Sequence, residues 1–314
     1  MARRKSRATK IQNAVHTMRF SIPDQESSTY LDLSAAASIL NRRFYRQGLQ
    51  WAVSGFTLIA PASANGSFIM KKLPTNWVIS NSWEKGMRSW MHQQNEALDD
   101  GDLESVKARF NDFKIYADED HAGTAAPHFL LPRDGDGTTF KPPQEWLHSE
   151  VVLPPLNTDV TGSGNAGTEF KLHMMGDDGT TTKSLIKAYA DSRAVPQSPD
   201  PSTPTTASTG LYSLMFNEGM SNPQVIANAE FRNDELPYDQ DDYPGSKTNG
   251  PGMELVDTIT FATATTQPGK FHLNGGSFPC GLIKLTNIGS SVDLLVHLVP
   301  GTHRGYLAEP MQDM

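Results

Sequence analysis

With 314 residues, a net charge of −8, 37% hydrophobic residues and one cysteine, the chain is long enough for one large or two small domains around a well-buried core. That composition excludes intrinsic disorder for the bulk of the chain, and no short period points to collagen or a coiled coil. A lone Cys280 also excludes a disulfide-stapled scaffold, a multi-cysteine zinc site and an iron–sulfur cluster.

The chain opens on Arg3, Arg4, Lys5, Arg7 and Lys10 with no acid among them, and residues 1–12 read as a disordered basic arm ahead of a body spanning 13–314. Residues 1–50 hold nine Lys+Arg against three Asp+Glu, whereas the remainder holds 18 against 32. A basic arm on an acidic body binds a polyanion at one end while the body avoids it. No apolar run of signal-peptide type follows the arm. The uncharged stretch Gln47–Met70 is interrupted by Gln50, Pro61 and Asn65, unlike the roughly 20 apolar residues of a membrane span. The chain therefore reads as soluble, without a membrane partner.

From Ala14 onward, Met18, Phe20 and Ile22 alternate with Thr17, Arg19 and Ser21, the pattern of a half-buried strand. Asp32 or Ser34 caps a helix expected to run to about Arg46, with Leu33, Ala37, Leu40 and Phe44 as its buried stripe and Arg42 and Arg46 opposite. Strands follow at Leu49–Ile59 and Ser67–Lys71, separated by Pro61 and Asn65-Gly66. A second helix covers Asn81–Leu98, burying Trp83, Met87, Trp90 and Met91 and pairing Glu84 with Arg88. Further strands are expected at Val106–Tyr116, Leu147–Leu153, Thr168–Met174, Leu211–Asn217, Leu255–Ala264, Gly281–Asn287 and Val292–Val299, and a third helix after Asn222-Pro223. Long polar loops at Gln197–Thr209 and Asp234–Asn249 decorate this framework. Many strands, few helices and long loops favour an all-β, mainly antiparallel body: a sandwich, barrel or jelly roll.

Most chemical motifs dissolve on inspection. Gly162-Ser163-Gly164-Asn165-Ala166-Gly167 matches a dinucleotide-binding string, but Thr168-Glu169-Phe170-Lys171-Leu172 after it reads as strand, so no helix N-terminus receives a pyrophosphate. Nucleophile-elbow and P-loop patterns are absent, and Asp134-Gly135-Asp136-Gly137 is better read as a polar turn than as a calcium loop. The acids Glu230, Asp234, Glu235, Asp239, Asp241 and Asp242 form a solvated loop more readily than a cation site. An iron-dependent oxygenase on a similar body is the enzymatic alternative, with His148 and Glu150 as ligands and His297 as the distal histidine, Arg304 beyond it. Nine histidines and 35 acids in 314 residues give about one His-x-acid match by chance, and one is seen. Trp83 and Trp90, at helical spacing, belong to a core more readily than, with Trp77, to a base-stacking platform. The arm stands apart: five cations in ten residues have no folding role, and attraction to phosphate needs no fixed geometry.

Several strings carry a resemblance: Tyr30-Leu31-Asp32-Leu33-Ser34, then Asn41-Arg42-Arg43-Phe44-Tyr45-Arg46-Gln47-Gly48-Leu49-Gln50-Trp51-Ala52-Val53. It continues in Leu73-Pro74-Thr75-Asn76-Trp77, in Ser82-Trp83-Glu84-Lys85-Gly86, and in Arg109-Phe110-Asn111-Asp112-Phe113-Lys114-Ile115-Tyr116-Ala117-Asp118. Over residues 1–155 the chain resembles capsid proteins of circular, Rep-encoding single-stranded DNA (CRESS-DNA) viruses. The resemblance implies one jelly roll whose copies close into a small icosahedral shell, with Arg3, Arg4, Lys5, Arg7 and Lys10 inside on the genome. It further implies a virion protein with no catalytic residue, cofactor or metal, whose partners are copies of itself, single-stranded DNA and a host receptor, with passage through the host nucleus during assembly. The arm is shorter than the arginine-rich arms of the circovirus type, leaving most phosphates to other cations. Arg19 would add to the DNA contact, and Arg42, Arg43 and Arg46 to the inner face or to contacts between subunits.

Overall fold

The computed structural model describes residues 12–61, 63–100, 112–142, 146–153, 168–192, 252–262 and 269–313. Eight long strands build the body: β1 (Thr17–Ile22), β2 (Gln25–Asp32), β3 (Leu49–Ala60), β4 (Gly66–Lys72), β8 (Glu254–Phe261), β9 (Gly269–Phe278), β10 (Leu282–Ile288) and β11 (Val292–Leu298). Taken in order, the first pairs with the last, the second with the seventh, the third with the sixth and the fourth with the fifth, all antiparallel. Two further antiparallel ladders, β11 with β3 and β10 with β4, join these pairs into sheets ordered β1-β11-β3-β9 and β2-β10-β4-β8. A long hairpin rolled upon itself has this connectivity, and it defines the jelly roll.

The two sheets close over one core. Along β1 the burial alternates strictly, with Met18, Phe20 and Ile22 inward. Trp51, Phe56 and Leu58 of β3, Phe68 and Met70 of β4, and Ile283, Leu285, Leu294 and Val296 complete the interior. Phe56 and Phe278 meet edge to face at 5.5 Å across the β3–β9 ladder.

A rolled hairpin sends its connections alternately to two ends. At one end they are tight: Gly289 N donates to Asp24 Oδ1 and Asn65 N to Ser290 Oγ, so three turns touch. Gly289, at φ +107°, is obligatory there, because a Cβ would lie 2.0 Å from the Asn65 carbonyl oxygen. At the other end sit α1 (Leu33–Asn41), both ends of the body, the Pro279–Gly281 turn holding Cys280, and the insertion of residues 73–253 between β4 and β8. Cys280 is a buried thiol whose pKa burial and then the Asp32 charge push up.

The insertion contributes α2 (Trp77–Asp100), α3 (Glu119–Gly123), α4 (Leu185–Asp191) and a small sheet of β5 (Glu150–Leu153), β6 (Thr168–His173) and β7 (Thr182–Ser184). A second core roots it on the outer face of the β2-β10 pair, where Tyr30 and Leu282 meet Ile79, Trp83, Ile115, Met174 and Ile186. Short strands β12 (Pro300–Gly301), β13 (Gly305–Tyr306) and β14 (Ala308–Pro310) finish the chain, β14 pairing with the start of β3.

Several expectations need correction. The first helix stops at Asn41 instead of Arg46, because Arg42 turns left-handed (φ 50°, ψ 40°) and its N–H closes on Ser38 O. Phe44 therefore leaves the buried stripe and is 42% exposed. Within the expected strand Val106–Tyr116, residues 106–111 lie outside the described part, Asp112–Ile115 are irregular, and Tyr116 makes one isolated bridge to His173. The second helix is longer than expected and does carry the Glu84–Arg88 pair. Strand 211–217, the helix after Asn222-Pro223, loops 197–209 and 234–249, the glycine string 162–167 and the acids of 230–242 lie outside the described residues. Asp134–Gly137 is a polar turn, Thr138 N donating to Asp134 Oδ1 at 2.7 Å.

Candidate nucleic-acid interface

Asp32 organises the elaborated end. As the N-cap of α1 its Oδ1 accepts from Ser34 N at 2.9 Å and Ala35 N at 3.1 Å. Its Oδ2 accepts from Gln47 Nε2 and Trp146 Nε1, both at 3.2 Å. Burial pushes the carboxyl up to about 6, against the pull of these four donors. Gln47 in turn is locked to the Ile115 backbone: its Nε2 donates to Ile115 O at 3.0 Å and its Oε1 accepts from Ile115 N at 2.7 Å. One buried carboxylate thus ties the start of α1, the segment after it, the insertion and Trp146 together.

Between these anchors runs a surface loop carrying Arg42, Arg43, Phe44 and Arg46, all exposed, with Tyr45 driven into the core between them. The Tyr45 hydroxyl donates to Arg304 O at 3.0 Å, and the Arg304 guanidinium donates back to Phe44 O. Burial raises the Tyr45 phenol above its ordinary value while the Arg43 and Arg304 charges draw it down. Arg42, Arg43, Arg46 and Arg304 are exposed, and none has a carboxylate partner among the described residues. Beneath Phe44 lies Lys114, ion-paired with Asp112 at 2.6 Å, its Nζ 5.6 Å from the Phe44 ring and 4.7 Å from that of Trp146.

The root of the basic arm belongs to the same end. Gln12 Nε2 donates to Thr302 O at 3.2 Å and Val15 N to Asn41 Oδ1 at 3.0 Å. Tyr306 OH donates to Val15 O and accepts from Asn41 Nδ2, each at 2.7 Å. The segment Gln12–Val15 therefore lies between the C-terminus of α1 and the turn that carries Arg304. Arg3, Arg4, Lys5, Arg7 and Lys10 lie outside the described residues. Arg19 is described, and its guanidinium pairs with Asp293 at 2.6 Å on the outward side of β1, so its charge is balanced within the chain.

The histidines gather elsewhere. His148 stacks on Tyr116 at 3.9 Å, with His121 and His128 edge-on to the same tyrosine at 5.2 Å each. His121 is fixed as a neutral ring: its Nδ1 accepts from Ala117 N and its Nε2 is 2.7 Å from His128 O, with burial lowering its pKa to about 3. Burial also holds His148 well below the ordinary value, and its Nε2 has no hydrogen-bond partner among the described residues. His148 and Glu150 border a cavity of about 320 Å³ with Tyr116, Trp146 and Lys171. His297 is not brought to it: it sits on β11, hydrogen-bonded to Thr57 and Thr17, and shares no partner with His148. Among the described residues no group of three or more His, Cys, Asp or Glu side chains is arranged to hold a metal ion.

Two members of the cationic end escape a reading of the sequence. Phe44 fits the i, i+4 spacing of a buried helical stripe, and Arg304 lies 260 residues from the loop it braces. The string Arg42-Arg43-Phe44-Tyr45-Arg46 does hold the signal, since cations interleaved with aromatics are the composition of single-strand binding surfaces. No protein-family model, curated protein or solved structure matches the chain. No helix among the described residues is long and apolar enough to cross a membrane.

Proposed function

We propose that the chain is a capsid protein that assembles into a small icosahedral shell and packages a circular single-stranded DNA genome. The observation that carries this reading is the sharing of one end of a jelly roll by the root of a five-cation arm and four exposed arginines that have no carboxylate partner among the described residues. A polyanion is drawn to the arm and to these arginines, whose attraction to phosphate needs no fixed geometry. Tight turns at the opposite end and a large insertion at this one give the tile distinct edges, on which symmetric copies repeat one contact many times. In this reading the protein resides in the virion, with a nuclear phase during assembly, and its partners are itself, DNA and a receptor.

Electron microscopy of the purified protein, with and without single-stranded DNA across a range of salt, tests the shell. Closed particles are expected, and monomers under every condition would remove the idea. Deleting residues 2–10, which carry the five cations, should lower the slope of log affinity against log salt by about 3–4, from roughly 0.7 per neutralised phosphate on single strands. An unchanged slope would take the arm off the genome.

A further inference from the structure

We propose that Phe44 is a base-stacking platform that makes the cationic end a reader of single-stranded rather than duplex nucleic acid. This deepens the nucleic-acid reading above and rests on it.

The argument starts from where the residue is. Phe44 sits three residues past the end of α1, at the apex of a loop whose neighbours Tyr45 and Gln47 are fully buried. A phenylalanine at 42% exposure beside residues so firmly buried is held out by its anchors, not left out by loose packing. Those anchors are specific: Tyr45 N donates to Ser38 Oγ at 2.9 Å, Arg304 donates to Phe44 O, and Gln47 is clamped to Ile115. One side of the ring is supported by Trp146, with centroids 6.0 Å apart, and by the Lys114 ammonium. The remainder meets solvent.

What surrounds the ring sets the ligand. Arg42, Arg43 and Arg46 are exposed on the same loop and the Arg304 guanidinium donates to the Phe44 carbonyl, none with a carboxylate partner among the described residues, so an exposed aromatic ring shares its loop with uncompensated cations. A strand with its bases turned outward satisfies both features at once: bases stack on the ring and phosphates meet the arginines. A duplex keeps its bases stacked inside and offers phosphates alone. A protein partner with an acidic, apolar patch is the competing occupant, yet it gives the five cations that precede Gln12 in the sequence no counterpart, whereas a continuing nucleic-acid strand does.

Fluorescence anisotropy on the full chain, with labelled oligo-dT and a duplex of equal length at fixed salt, decides between them. Phe44→Ala should weaken oligo-dT binding roughly 5- to 150-fold, the range for loss of one stacked base, while duplex affinity stays within about twofold. Phe44→Trp should restore it, and the melting temperature of both variants, read alongside, should match the parent because the ring is at the surface. Equal losses on oligo-dT and duplex, or no loss on oligo-dT, would overturn the platform. Particle counts of Phe44→Ala by electron microscopy are the third readout: normal shells with weakened oligo-dT binding support it, and shells lost with oligo-dT binding intact would assign Phe44 to a subunit contact instead. Since the oligonucleotide assay does not require closed shells, the platform and the capsid reading can fail separately.

Discussion

Arg42 shows at the scale of one residue what the cationic end asks of the chain. It holds the left-handed conformation that ends α1, a position where glycine is at ease and a side chain costs roughly 1–2 kcal/mol. Arg304, across the loop, is left-handed as well, at φ 52°. Arg304 has a structural use there, its guanidinium donating to Phe44 O, whereas the Arg42 side chain makes no hydrogen bond or ion pair among the described residues. Arg42→Gly should therefore stabilise the protein by up to about 1 kcal/mol, through relief at the helix end, while weakening its hold on single-stranded DNA. Urea unfolding and anisotropy on the same preparation read both effects. A variant that is less stable, or one that binds DNA as tightly as the parent, would show that Arg42 is there for the fold.

At the scale of elements, the turns of the plain end tolerate no change because backbone meets backbone there. A methyl at Gly289 or Gly66 would lie 2.0 Å or 1.8 Å from a carbonyl oxygen of the facing turn. Gly289→Ala should cost about 2–5 kcal/mol, from overpacking and the positive φ together, whereas Gly135→Ala, with nothing within 4 Å, should be nearly neutral. The urea midpoint with an unchanged m-value is the measure, and similar midpoints for both variants would mean that the turns do not touch in solution. The same contrast explains what the sequence disclosed. Strands flanked on both sides and buried on one face, such as β3, β10 and β11, announce themselves by alternation. The edge strand β2 does not, because Gln25–Thr29 pair only with β10 and stay mostly in solvent. Nor does β9, where Gly275-Gly276 imitates a turn although Gly275 is needed for close approach to Val53 and Ser54. Asp112–Ile115 misleads in the other direction: the residues are buried like a strand, but in place of a ladder their backbone pairs with the side chain of Gln47 and with the hydroxyl and N–H of Ser149. Of the cationic end, Arg42, Arg43 and Arg46 were visible as charge. Phe44 and Arg304 were not, because where the helix ends and which distant turn braces the loop are tertiary facts.

For the molecule as a whole, the buried histidines set the response to acid. His121 and His148 are held neutral by burial, and His128 and His173 are shifted the same way, with burial again the first cause. A histidine whose folded pKa lies below its unfolded value of about 6.5 contributes fully above that pH and is lost as the pH falls through it, because the unfolded chain takes up the proton first. Asp32 works in the opposite direction: with its carboxyl raised to about 6, the folded state takes up a proton between about 6 and 4 and gains stability. Each group counts for at most about 1.4 kcal/mol per pH unit, so the two rings that burial lowers most, His121 and His148, outweigh one carboxyl, and the partly open His128 adds little. Asp118 and Asp178, whose pKa values are lowered, add to the loss only below about 4. Unfolding free energy should thus fall by roughly 2–4 kcal/mol between pH 7 and pH 5. His148→Phe, which keeps a ring against Tyr116 but removes one site of proton uptake, should recover up to about half of that loss. Urea titrations of parent and variant at the two pH values are decisive: a protein equally or more stable at pH 5 would mean that Asp32 governs its acid response. The location gives the effect its reach, because His148 is two residues from Trp146, whose indole ties the insertion to Asp32 and supports Phe44. Acid that loosens the histidine group therefore acts first on the brace beneath the cationic end, and single-strand affinity should decline over the same pH window as stability.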